Sequence, residues 1–253
     1  MPKDNNPASR LLQILQQAMK HPDSKTIIEV WVSEFRLNAQ DTHEIFRRLA
    51  QLVDLTNEIE GLIKRIPDPD IEPDLYLRDF PSIRKGLSHP SLSNPWGTIR
   101  ASFSPEHLRG LEFCADLLAR RFPESNIPQA DLDAISHQVD ELFRALKDSK
   151  IDPKLRALLL DLLETIRRCI AEYQIRGAKG IRETITTALD TLSEHVRKKP
   201  KASFSEEERT ILSRFLDTLS KADEVVSRSL TYLPLLQKIP GWVETIKGLL
   251  PHG

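Results

Sequence analysis

The stretch E-Y-Q-I-R-G-A-K-G-I-R-E, Glu172 to Glu183, decides how the chain folds. Before it runs an apolar stripe at the spacing of one helical face: Leu155, Leu159, Leu162, Ile166, Cys169, Tyr173. At about 3.6 residues per turn that stripe projects onto Gly177, Gly180, Thr184, Thr187 and Thr191. The apolar residues present are instead Ile181, Ile185, Leu189, Leu192 and Val196. The pattern slips by one residue, which on a helix is a rotation of about 100°. No straight helix keeps both stripes on one core, and it would carry two interior glycines at about 1 kcal/mol each. A break at Gly177 removes both conflicts, because glycine tolerates the left-handed position that ends a helix. The stretch therefore predicts a helical hairpin corner, with Gly180 letting the second helix approach closely.

The same residues carry a second reading. Backbone N–H groups at a helix start attract anions, and Arg176, Lys179 and Arg182 surround this one. Arg176, Gly177, Lys179, Gly180 and Arg182 are thus a candidate phosphate or nucleic-acid site. A G-x-x-G loop with basic neighbours also clamps nucleic-acid backbones in KH domains, but there it lies between helices packed on a sheet, and no strands are read here. The basic hinge R-K-K-P-K, Arg197–Lys201, is a further candidate for such contacts, against the simpler reading of a solvated linker.

Working outward, apolar spacing of three and four recurs almost everywhere. Leu11, Leu12 and Leu15 open a first helix. T-I-I-E-V-W-V-S-E-F is rich in β-branched residues, yet Ile28, Trp31, Val32 and Phe35 share a helical face, and a lone strand would have no partner. Asp41 caps a longer helix whose stripe ends at Ile66, with Glu44 placed to reach back. Residues 67–103 then hold Pro67, Pro69, Pro73, Pro81, Pro90 and Pro95, which disfavour helix at themselves and their predecessors. Their apolar content, Leu75, Phe80 and Trp96 among it, predicts packing against the helices and one short helix near Pro81–Leu87. Ser104 and Pro105 restart regular helix. Further helices are read at about 128–148, from Asp152, at 178–197 and from the capping box Ser205–Glu208. The expected fold is all-α: a multi-helix bundle of seven to nine helices with antiparallel hairpins. Its divisions are residues 1–66, a Pro-rich connecting segment 67–103, and a C-terminal bundle 104–253, with one continuous domain as the alternative.

The chain has 253 residues, 36 Lys plus Arg against 37 Asp plus Glu. That balance gives no global attraction to nucleic acid or anionic membrane. Cys114 and Cys169 both fall on apolar helix faces, which suits reduced thiols and a cytoplasmic location. The first ten residues lack the apolar run of a signal peptide, and no apolar run approaches the ~18 residues of a membrane-spanning helix.

Chemistry-bearing motifs are few. No phosphate-binding loop, nucleophile elbow, zincin helix or kinase signature is present. The cysteines and histidines lack metal spacing, and no cofactor or metal is expected. P-D-P-D-I-E-P-D lacks the glycine of a calcium loop and reads as an acidic, solvent-facing loop. All-helical HEPN ribonucleases carry Arg and His with four to six residues between them, and Arg36–His43, Arg84–His89 and Arg100–His107 resemble that spacing. Arg84 and His89 are the best candidate catalytic pair; the plain alternative is a solvated Arg and a surface His. In the tail, Trp242, Ile246 and Leu249 line one face of P-G-W-V-E-T-I-K-G-L-L. They suit a last core helix, a docking helix for a partner groove, or an interfacial membrane helix.

The string Y-Q-I-R-G-A-K-G-I, Tyr173 to Ile181, following a Leu-rich helix opened by D-P-K-L, resembles a pattern of uncharacterised all-helical bacterial proteins. The resemblance covers about residues 130–195. It implies a bacterial origin and brings no activity; a role in phage defence or a similar stress system is the expectation attached to it. The leading expectation for function is a non-enzymatic interaction protein, an adaptor or regulatory subunit with a protein partner or self-association. A helical ribonuclease and a nucleic-acid or phosphate binder are the alternatives.

Overall fold

A computed structural model describes residues 5–38, 40–198, 200 and 203–230. Among them regular structure is helical, with a single isolated bridge, Thr26 to Pro95, and no named strand. The chain divides into two compact units, residues 1–124 and 125–253.

In the first unit, α1 (Pro7–Ala18) starts at Asn6, whose side chain accepts from the Ser9 N–H at 3.0 Å and donates to the Ala115 carbonyl at 3.0 Å. The second bond ties α1 to α7 (Pro105–Arg121), which Ser104 caps by accepting from the His107 N–H. Arg10 is buried in the same region and meets both carboxylate oxygens of Glu124 at 3.1 Å. The β-branched segment forms helix α2 (Ile27–Phe35), fixed by a capping box between Thr26 and Glu29. Its buried face is Ile27, Val30 and Trp31, with Ile28, Val32 and Phe35 only half-buried, so the face is rotated from the expected one. Trp31 is common to both faces: it stacks on Phe35 at 5.6 Å and meets Trp96 edge-on at 5.6 Å, and Trp96 stacks on Phe103 at 5.7 Å.

Helix α3 (Thr42–Lys64) is capped by Asp41. Glu44 does not close a capping box; it pairs with Arg47 and Arg48 one turn on. The Pro-rich segment holds three short helices, α4 (Pro73–Leu77), α5 (Phe80–Leu87) and α6 (Gly97–Arg100), then a 3-10 turn, Ala101–Phe103. Proline stands in the first turn of α4 and α5, where its missing N–H costs nothing. These pieces raise the helix count to eleven among the described residues, above the seven to nine expected. Leu77, Phe80, Ile83, Leu87, Trp96 and Phe103 are buried. The segment therefore completes the first unit's core, with Gly86 lying so close to Phe103 that a Cβ there would meet its ring at 2.5 Å.

The second unit is built from α8 (Gln129–Asp148), α9 (Pro153–Ala171), α10 (Tyr173–Arg197) and α11 (Glu206–Leu230). α8 packs on α9, α9 on α10, α10 on α11, and α11 back on α8, closing a cycle around one apolar core. Glu208 is buried at its start. It accepts from the Ser205 N–H at 2.7 Å, completing the expected box, and from the Asp152 N–H at 3.3 Å. One carboxylate thus holds the beginnings of α9 and α11 together.

Candidate functional site

The glycine corner is a real break. Gly177 has φ 62 and ψ −167, the one positive-φ glycine among the described residues. The chain also turns at Glu172 between α9 and α10, so the corner has two steps with one helical turn between them. Gly180 does not serve the approach of a second helix. A Cβ there would lie 2.5 Å from Arg176 Cβ and 2.9 Å from its Nε, so the glycine makes room for the Arg176 side chain.

The structure brings the cations of the proposed anion site to carboxylates. Arg176 meets Glu172 at 3.7 Å and Glu183 at 3.6 Å; Lys179 meets Glu183 at 3.9 Å; Arg182 meets the buried Asp223 at 3.8 Å. An anion arriving here competes with three acids of the same chain, two of them buried. The Arg197–Lys201 hinge is described only in part, and Trp242, Ile246 and Leu249 lie outside the described residues.

The Arg/His pairs are spread over structural bonds. Arg84 donates from Nε to Thr56 Oγ1 at 2.9 Å and pairs with Glu60, fastening α5 to α3. Its hydrogen bond is the leading cause that holds the Glu60 carboxyl below the usual range. His89 Nδ1 instead engages the Ser91 backbone at 3.0 Å and 3.3 Å. Arg100 donates to the Met19 carbonyl at 2.8 Å, the His21 carbonyl at 3.1 Å and Asp23 at 2.6 Å, closing the end of α1. His107 contacts the Ser102 carbonyl through Nδ1 at 3.2 Å. Arg36 is the left-handed residue that ends α2, with φ 53. No group of three or more metal-ligating side chains gathers among the described residues.

What the sequence did not mark is a groove in the first unit between α4 and α7, about 470 Å³ in volume. Leu75 and Phe113 flank it, 63% and 60% exposed, beside Tyr76. Its base is Gly110, where a Cβ would lie 2.5 Å from Asp79 Oδ2; only glycine lets that carboxylate rest against α7. Behind it the Cys114 thiol donates to the Tyr76 carbonyl at 3.4 Å. Burial first, and the Asp79 charge second, push this thiol up to about 12, so it is an inert structural cysteine. At the rim, Glu106 is held below its usual range by the Ser104 hydroxyl and its own backbone N–H at the start of α7. Arg78 pairs with its neighbour Asp79 at 3.7 Å and is 74% exposed in its side chain. Arg109 makes no ion pair among the described residues and acts on Glu106 as a nearby charge. A signal for the groove did exist: Phe113 lies off the buried stripe Leu108, Leu111, Cys114, Leu118 of its helix.

No family model, curated protein or solved structure matches the chain.

Proposed function

We propose that the protein is a non-enzymatic helical interaction module, an adaptor or regulatory subunit, and that the groove between α4 and α7 is its contact surface. The observation that carries this is the pair of large apolar side chains, Leu75 and Phe113, held side by side in water across a preformed cleft. Exposing both on one monomer surface costs free energy that a partner recovers. Covering them contributes about 3–6 kcal/mol, which does not by itself offset an association cost of about 4–15 kcal/mol. The groove is therefore an anchor within a wider, polar-rimmed interface.

Two buried, unpaired thiols suit a reducing compartment, which supports the cytoplasm. The assembly is assigned to a bacterium on the Tyr173–Ile181 string alone.

The test compares the wild-type chain with the double variant Leu75→Asp, Phe113→Asp as bait in a quantitative pull-down from native cells. A defined set of proteins retained by the wild type and lost by the variant is expected. Identical retention by both baits contradicts the assignment.

A further inference from the structure

We propose that Lys25 is an acylation site whose amine is prepared by His21 and Glu34, and that the acyl group comes from a small acyl phosphate. The inference does not depend on the groove and draws on other residues of the first unit.

The three side chains stand in a row where the segment after α1 meets α2. Lys25 Nζ lies 3.2 Å from His21 Nδ1, and His21 Nε2 lies 2.8 Å from Glu34 Oε1. An ammonium only donates, so Nδ1 accepts and the ring hydrogen sits on Nε2, where Glu34 receives it. That is the order of a nucleophile, a base and the group that orients the base. His21 and Glu34 are 16% and 12% exposed in their side chains, so water competes little for the pair. Lys25 is half-buried and still reachable. Its segment is fixed through the backbone: the Lys25 carbonyl accepts from the Trp96 N–H at 2.6 Å and the Asp23 carbonyl from the Gly97 N–H at 3.2 Å. Modifying the amine breaks neither bond.

Other lysines are placed differently. Lys64 lies 2.6 Å from Glu60 and Lys179 3.9 Å from Glu183, and a carboxylate favours the ammonium, which is no nucleophile. Lys20 donates to the side-chain carbonyl of Gln17 at 2.8 Å, a group that takes up no proton. Lys25 makes no ion pair with a carboxylate among the described residues. Glu29, which senses the Lys25 charge, is engaged by the Thr26 N–H and hydroxyl at 2.7 Å each.

In the step, the ammonium gives one proton to His21 Nδ1, and the Glu34 carboxylate faces the imidazolium so formed. The freed lone pair of Nζ attacks the acyl carbon and forms the C–N bond. The bond from that carbon to the phosphate oxygen breaks, its electron pair leaves with the phosphate, and a second Nζ proton ends on that oxygen. His21 returns its proton to water. The products are an amide and inorganic phosphate. The three residues prepare the nucleophile, and a mixed anhydride already carries a leaving group that departs unaided.

The test incubates the full chain with acetyl phosphate near neutral pH and follows each lysine by mass spectrometry. Lys20, exposed and close in sequence, is the internal reference. Acetylation is expected to be about tenfold faster at Lys25 than at Lys20, below the about 10²–10⁴ of a fully positioned catalytic base, because Lys25 is less open to solvent. His21→Gln removes the base and should abolish the excess. Glu34→Gln should reduce it, and adding Glu34→Gln to His21→Gln should reduce it no further, because Glu34 acts through the imidazole. Circular dichroism checks that each variant keeps its helix content.

Acetylation at Lys25 that is equal to or slower than at Lys20 overturns the proposal, as does an excess that survives His21→Gln. If His21→Gln does not fold, an unchanged ratio of Lys25 to Lys20 in Glu34→Gln overturns it instead.

Discussion

At the scale of single residues, Gly177 carries the corner. Its φ of 62 with ψ of −167 belongs to a region that is almost exclusively glycine's. Gly177→Ala is expected to lower stability by about 1–3 kcal/mol, measured by urea denaturation followed by circular dichroism; an unchanged midpoint contradicts the strain. This position was legible because a one-residue slip in an apolar stripe is a backbone event written in side chains. Gly180 was legible only as a small residue. That its space is filled by Arg176 of the same chain depends on the break three residues earlier. Cys114 gives a second residue-scale prediction. Its thiol stays protonated in the fold up to about pH 12, whereas an unfolded thiol ionises near 9. Below pH 9 neither state loses the proton, and the group adds no pH dependence. Above it the unfolded state is favoured, by about 1.4 kcal/mol per pH unit. Between pH 9 and 10.5 the wild type should therefore lose stability faster than Cys114→Ala, and parallel losses would contradict the burial.

At the scale of elements, starts were more legible than neighbours. Asn6, Asp41, Ser104, Asp152 and Ser205 all accept from a helix's first turn or close a box there. Their chemistry is local, and three of them stand before a Pro in the first turn. What a helix face touches is not local. The sequence displays Arg84 near a histidine, but the fold spends it on Thr56 and Glu60, 28 and 24 residues away. Arg84→Ala should cost about 0.5–1.5 kcal/mol at neutral pH. Glu60's carboxyl is lowered in the fold, so this stabilisation is present above the ordinary Glu pKa and fades as pH falls through the folded value. Thermal melts of both proteins across pH 3–7 check this; a gap that widens in acid contradicts it.

At the scale of the whole molecule, composition pointed to residues 67–103 as the connecting segment, whereas the compact units part at Glu124 and Ser125. The hydrogen bonds show why. The Glu124 carbonyl accepts from the Asn5 N–H at 2.7 Å, while the next residue's N–H donates to the Ser229 carbonyl at 3.0 Å. Neighbouring peptide groups thus belong to different units. Prolines in 67–103 resemble a linker, but Phe80, Trp96 and Phe103 are core residues, and a count of prolines cannot display that. Residues 125–253 expressed alone should fold as a helical unit with one cooperative unfolding transition by circular dichroism, because their core draws on their own helices. A gradual, non-cooperative loss of helix contradicts this. The groove was hidden for a related reason: one aromatic on the polar side of α7 acquires meaning only when α4 sets Leu75 opposite it.

The most direct measurement of the central claim places a photo-crosslinking phenylalanine analogue at Phe113 and, as a control, at the exposed Glu141 in the second unit. Both proteins are irradiated in native cells. A discrete adduct at position 113, absent from position 141, is predicted. No adduct at 113, or the same adducts at both positions, contradicts the assignment of this groove as the contact surface.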